Sequence, residues 1–175
     1  MREITEAEIE KLGLNVDYNS VSTFNDPSDV KLVLIEIGDV LWRFVSRKNQ
    51  PKYGKYWVDK ETMSGLMSIF WSWNAFSMPI KKEVIRDNMA ILNDWNNLSW
   101  RMKVEFRKPV VALYGTIGAQ KLFGDDVSIK YNGNRVFKAM EYRIGGFKQY
   151  VIPYFENLND FEGEKVAPIS HFAHL

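Results

Sequence analysis

The chain contains no cysteine and only two histidines, His171 and His174, among its 175 residues. Disulfides and thiolate nucleophiles are therefore excluded, and the lack fits either a reducing cytosol or a protein that unfolds and refolds in transit. A zinc site would need distant carboxylates to complete it, so no metal is expected. With so little histidine and no Gly-x-Ser-x-Gly elbow, serine hydrolysis is also disfavoured. Neither Gly-x-Gly-x-x-Gly nor Gly-x-x-x-x-Gly-Lys-Ser/Thr occurs, which removes the usual phosphate loops. The N-terminus, MREITEAEIEKLG, is charged, and no apolar run near it has the length of a signal peptide or membrane span. The chain reads as soluble, with no membrane partner. An excess of one charge is missing too: 23 Lys and Arg nearly cancel 22 Asp and Glu. No global field draws it to nucleic acid, which is not the expected partner.

Aromatic residues are abundant, at 14% of the chain, and nearly half of all residues are apolar. A single domain with a real core is expected over 1–175: an N-terminal helix and loop (1–29), a core (30–156) and a C-terminal tail (157–175). Thr5 precedes Glu8 at capping-box spacing, which predicts a short helix ending at Gly13. Residues 19–29, rich in Ser, Asn, Asp and Pro, read as a loop. Residues 30–37 and 40–45 read as strands joined at Gly38-Asp39. Met63, Leu66, Met67 and Phe70 recur at helical spacing, with Pro79 ending that segment. A second helix is expected from Lys81 through Val84, Ile85, Met89 and Leu92. Thereafter short apolar or alternating runs predict strands over 100–106, 110–117, 127–131, 136–142 and 149–154, with a hairpin turn at Asn132-Gly133. Helices early and strands late predict an α+β fold with antiparallel or split sheets.

Four polar signals stand out. In Trp42-Arg43-Phe44, an arginine opposite two core-facing rings can fork onto a diphosphate; equally, it is a solvated strand arginine. Tyr53-Gly54-Lys55-Tyr56-Trp57 offers three rings to stack on a base, or a hydrophobic plug beneath a loop. Ala112-Leu113-Tyr114-Gly115 leads to Gln120, where the glycines fit a bulge or a close backbone contact. Gly145-Gly146-Phe147-Lys148-Gln149-Tyr150 is the most specific string. A glycine turn before an edge strand accounts for its glycines but not for Gln149, whose amide both donates and accepts.

In this order, with Arg86, Met89-Ala90-Ile91-Leu92 and Trp95-Asn96 between them, the signals resemble the small ADP-ribosyltransferase-like toxin domains of bacteria. These include the tuberculosis necrotizing toxin type and related domains of polymorphic and type VI secreted toxins. The resemblance spans roughly residues 40 to 154. It implies an ADP-ribosyltransferase-like split, mainly antiparallel sheet with N-terminal helices and an NAD cleft between its halves. Arg43 would grip the NAD phosphates or ribose. Tyr53, Tyr56 or Trp57 would wall the nicotinamide pocket, joined by Tyr114 and Gln120 as NAD-contacting residues. Gln149 would take the late-strand catalytic position, where Gln rather than Glu points to hydrolysis of the nicotinamide–ribose bond. Glu141, if it shares the cleft, would favour transfer to a protein or nucleic acid. NAD is the implied substrate and a cognate immunity protein the implied partner. The location implied is the producer's cytoplasm or, after delivery, a target cell. Two other readings stay open: a non-enzymatic interaction module, such as an immunity or secretion component, and an RNA-binding domain using its rings beside Lys52, Lys55 and Lys60.

Overall fold

The capping box forms as its spacing predicts. In the computed structural model, which describes residues 1–46, 55–72, 78–91, 96–122, 128–131, 134–137, 141–152 and 161–168, a two-residue strand β1 (Arg2–Glu3) precedes helix α1 (Glu6–Leu12). Thr5 accepts from the Glu8 N–H at 3.3 Å, and the Glu8 carboxylate accepts from the Thr5 N–H at 2.9 Å. Gly13, at φ +63°, closes the helix in the left-handed conformation. Ile4 and Ile9 then pack against Leu34 and Val111, which fixes α1 to the domain. The expected loop that follows contains two 3-10 turns, Tyr18–Thr23 and Pro27–Asp29.

The remaining elements are β2 (Lys31–Ile35), β3 (Val40–Val45), β4 (Tyr56–Trp57), α2 (Lys60–Ser72), α3 (Met78–Met89), β5 (Trp100–Phe106), β6 (Val110–Thr116), β7 (Gln120–Leu122), β8 (Ser128–Tyr131), β9 (Asn134–Phe137), β10 (Glu141–Arg143), β11 (Lys148–Val151) and β12 (Phe161–Pro168). A five-stranded sheet runs β1-β2-β6-β11-β4 and a three-stranded sheet runs β12-β5-β3. They touch where Trp42 and Val58 exchange two backbone hydrogen bonds of 2.8 Å. Beyond that bridge the chain enters α2. Among the described residues every strand pairing is antiparallel, and the fold is α+β.

Several elements differ from the pattern-based expectation. The segment read as a tail contributes β12, which pairs along β5 from Phe161 opposite Phe106 to Pro168 opposite Trp100. Its polar sequence hid a strand whose stability comes from the partner, not from local periodicity. β4 arises likewise inside a stretch read as a loop, by pairing with β11. Pro79 does not end a helix; it occupies the first turn of α3, where its missing N–H leaves no bond unmade. α3 stops at Met89, followed by Ala90 at φ +50°, and Leu92 lies outside the described residues. Of the strand expected over 136–142, residues 136–137 belong to β9 and 141–142 to β10, and 138–140 lie outside the described residues. β8 and β9 pair as a hairpin, with Tyr131 opposite Asn134; Asn132 and Gly133 are outside the described residues.

Two packed layers hold the sheets. On one face of the joined strands Trp42, Phe44 and Val58 meet Met63, Leu66 and Met67 of α2 and Ile85 and Met89 of α3. On the other, Leu41, Val45, Trp57, Met102, Val104 and Phe106 meet Val33, Ile35, Ala112, Tyr150 and Ile152. Each such side chain contributes about 1.5 to 3 kcal/mol when fully buried. Both faces of β3 are therefore largely apolar, and its single charged residue, Arg43, lies on the face away from the helices.

Candidate functional site at the split between the sheets

Register decides which polar residues can meet. Tyr150 stands opposite Trp57 on one side and Tyr114 on the other, and residues opposite one another share a face. Arg43 follows Trp42, so its side chain leaves β3 on the side away from the helices. Its guanidinium carbon lies 5.3 Å from the Trp57 ring centroid, a cation–π distance. Arg43, Trp57, Tyr150 and Tyr114 thus form one row across three neighbouring strands and the edge of the second sheet. The Tyr114 and Tyr150 rings are 4.4 Å apart and tilted by 32°, and Lys148 sits 5.6 Å above the Tyr114 ring. Most of this row is interior: Trp57 has no exposed surface, and the Arg43 Nε and Nη1 atoms are shielded from solvent.

Gln149 and Tyr56 point the other way, since each is one residue from a member of that row. Tyr56 packs with Phe24, Leu113, Ile117 and Val151. Gln149, 1% exposed, donates its Nε2 to the Met89 carbonyl at 3.0 Å. That carbonyl ends α3, where the last turn has no helical partners. The same loop serves its neighbours: Gly145 N–H bonds the Asp87 carbonyl at 2.7 Å and Phe147 N–H the Asn88 carbonyl at 3.1 Å. Gly145 holds φ +80°, and a Cβ there would lie 2.3 Å from the Ile117 carbonyl oxygen. Gly145, Phe147 and Gln149 thus cap a distant helix from β11 and the loop before it, which explains the glutamine as well as the first glycine. Arg143, 7% exposed, adds ion pairs of 2.7 Å to Glu83 and 2.9 Å to Asp87 on α3.

The remaining sequence candidates scatter. Gln120 is half-buried on β7, opposite Arg143, and among the described residues its amide approaches the Gly118 carbonyl, at 3.5 Å. Tyr53 and Lys52 lie outside the described residues, as do His171 and His174. Glu141 pairs opposite Leu122 in the β7–β10 ribbon. Lys55 is engaged by Asp17 at 3.2 Å and Ser20 at 3.1 Å. The structure brings Arg43, Trp57 and Tyr114 onto one face and keeps Gln149, Tyr56 and Gln120 away from it.

An accessible concavity opens instead beside the Trp42–Val58 bridge, between β3 and β5 and the start of α2. This groove, about 480 Å³, is lined by Met1, Val40, Trp42, Asp59, Lys60, Glu61 and Lys103, within the range of small-molecule sites. Lys103 lies opposite Trp42 in the sheet, its ammonium 5.6 Å from the indole centroid. Asp59 begins α2: its Oδ1 accepts from the Thr62 N–H at 2.8 Å and its Oδ2 from the Tyr150 hydroxyl at 3.3 Å. Burial, then the Asp59 charge, hold the Tyr150 phenol well above its ordinary pKa. Tyr114 is shifted upward by its own burial and by Asp59 and Glu61, with the Tyr150 hydroxyl acting in the opposite direction. Asp59, Glu61 and Lys103 were not among the sequence candidates. Asp59 was legible as a cap, standing just before the helical run of Met63, Leu66 and Met67, but nothing local marks it as facing a groove.

No family model matches the sequence, and a search of curated proteins finds no match either. Among solved structures, a chain of the structure of Tne2 in complex with Tni2 shares 17% identity, with a TM-score of 0.44 over 79% of this chain and 92% of that one. A chain of Rhs1-CT in complex with its cognate immunity protein RhsI1 shares 11% identity, with a TM-score of 0.41 over 96% and 94%. At these values a common chemistry does not follow. Among the described residues no helix is long and apolar enough to cross a membrane.

Proposed function

We propose that the chain is an NAD-consuming toxin or effector domain of the ADP-ribosyltransferase-like kind, hydrolysing the nicotinamide–ribose bond in the groove where the two sheets split. The supporting observation is that groove, with two lysines, two carboxylates and an indole at the seam of a divided antiparallel sheet. Lys60 and Lys103 suit the diphosphate, and Glu61 suits a ribose hydroxyl. Asp59 is held at two of its roughly four acceptor positions within the protein, leaving others for ligand. In the reaction the C1′–N bond breaks and its electron pair leaves with neutral nicotinamide. A water oxygen then bonds C1′ and releases its proton, giving ADP-ribose. A carboxylate already held in place stabilises the cationic ribose without reorganising, and such preorganised charge is commonly the largest catalytic contribution.

On this reading Arg43 backs the seam from its inner face through Trp57, and Gln149 secures α3 rather than touching the ribose. A producing cell would need a cognate immunity protein, and the active protein would work in the cytoplasm of a target cell. Transfer of ADP-ribose to a macromolecule is the nearest alternative, because the groove is open enough for an acceptor to approach. A non-enzymatic interaction module is favoured by one specific observation: Gln149, the residue that most suggested catalysis, is buried with its Nε2 donating to the end of α3.

The test is NAD consumption and nicotinamide release by purified protein, comparing wild type with Asp59→Asn, Lys103→Ala, Arg43→Ala and Gln149→Ala. Turnover abolished by Asp59→Asn in a folded protein supports hydrolysis in the groove, and labelled transfer to a macromolecule moves the reading to transferase. Absence of both NAD binding and turnover in wild type would leave the interaction module.

A further inference from the structure

Tyr150 reaches the groove without lining it. Its ring is 6% exposed, stacked on Tyr114 and opposite Trp57, and its hydroxyl meets Asp59 Oδ2 at 3.3 Å. We propose that Tyr150 is a positioning residue for catalysis: its hydroxyl aims the Asp59 carboxylate into the groove, while the Thr62 N–H holds the other oxygen. This deepens the hydrolase reading and rests on it.

Three observations carry the assignment. Asp59 begins α2 at the point where the chain leaves the sheet, so local backbone pairing beyond Val58 does not orient its side chain. The Thr62 N–H alone fixes one oxygen and leaves rotation about that contact open. Tyr150 supplies the second point, and it is itself clamped by ring packing on β11, a strand paired on both sides in the five-stranded sheet. Two-point attachment to a rigid element is what holding a reactive charge in register with a substrate requires. Because burial and the Asp59 charge shift its phenol upward, Tyr150 stays protonated and remains a donor at neutral pH.

The experiment is a kinetic double-mutant cycle with NAD: wild type, Tyr150→Phe, Asp59→Asn and the double variant, each with a melting curve. The phenylalanine keeps the ring and removes only the donor. We expect kcat to fall about tenfold or more in Tyr150→Phe, as misplacement of a catalytic group does. KM should change little, and the double variant should be no slower than Asp59→Asn. A merely structural Tyr150 would lower the melting temperature and leave kcat at the assay temperature untouched, which would overturn the proposal, as would fully additive losses. If Tyr150→Phe does not hold its fold, Asp59→Asn decides, since asparagine still caps α2. Wild-type kcat in that variant removes the group to be positioned, whereas a loss of tenfold or more with NAD binding retained upholds it. Wild-type protein that consumes no NAD overturns the hydrolase reading itself, a result distinct from an active enzyme indifferent to Tyr150.

Discussion

The end of α3 and the start of α2 contrast within one sheet. At α3 the exposed carbonyls are met by Gly145, Phe147 and Gln149, all reaching from β11 or the loop before it. Gln149 and Arg143 are buried there and tied to α3, so the region holds the fold. At α2 a carboxylate is tied at two points but faces a groove with other charges around it. Buried polar groups with every bond made specify structure, whereas fixed groups with acceptor capacity to spare can do chemistry. The difference separates two residues, Gln149 and Asp59, that composition alone would rank in the opposite order.

Substitutions of similar kind in the two regions should therefore have very different effects. Gln149→Glu should be the most damaging, because an ionised carboxylate would sit unpaired beside the Met89 carbonyl; we expect a loss of about 3 to 5 kcal/mol in denaturant unfolding. An unchanged midpoint would mean that the α3 cap is not what Gln149 provides. Gly145→Ala comes next, at about 2 to 3 kcal/mol by the same measurement, from its positive φ and the Ile117 clash.

A smaller effect concerns pH. The folded state binds the Tyr150 proton more tightly than the unfolded chain, whose phenol titrates near pH 10. The stability from Tyr150 is thus complete below about pH 10 and is lost as pH rises toward the higher folded value. Melting temperatures should fall between pH 9 and pH 11, and less steeply in Tyr150→Phe; parallel slopes would count against the buried phenol. The smallest expected change is in the stability of Glu61→Gln, within about 0.5 kcal/mol of wild type, because Glu61 is an exposed residue. Its NAD turnover should nonetheless drop, and a variant with full activity would remove Glu61 from the proposed site.

Much of the architecture was readable from the chain. The Thr5–Glu8 box, the Gly38-Asp39 turn, the apolar spacing in α2 and the limits of β5 are local features, and local physics places them. The α+β class followed from helices clustered ahead of strands. β4 and β12 were not legible, because each is a strand only by virtue of a neighbour far along the chain. Arg43 was correctly set opposite Trp42 and Phe44, but the face it enters is interior, since a second sheet covers it.

The order of amino acids sets the chemical repertoire: no thiols, no phosphate loop, scarce histidine, and rings beside lysines and carboxylates. It also determined the alternation of faces within each strand. Which face looks at which neighbour was decided only by the tertiary structure. Side chains alternate with period two, so the register between distant strands alone puts Gln149 under α3 and Tyr150, its immediate neighbour, beside Asp59 at the groove.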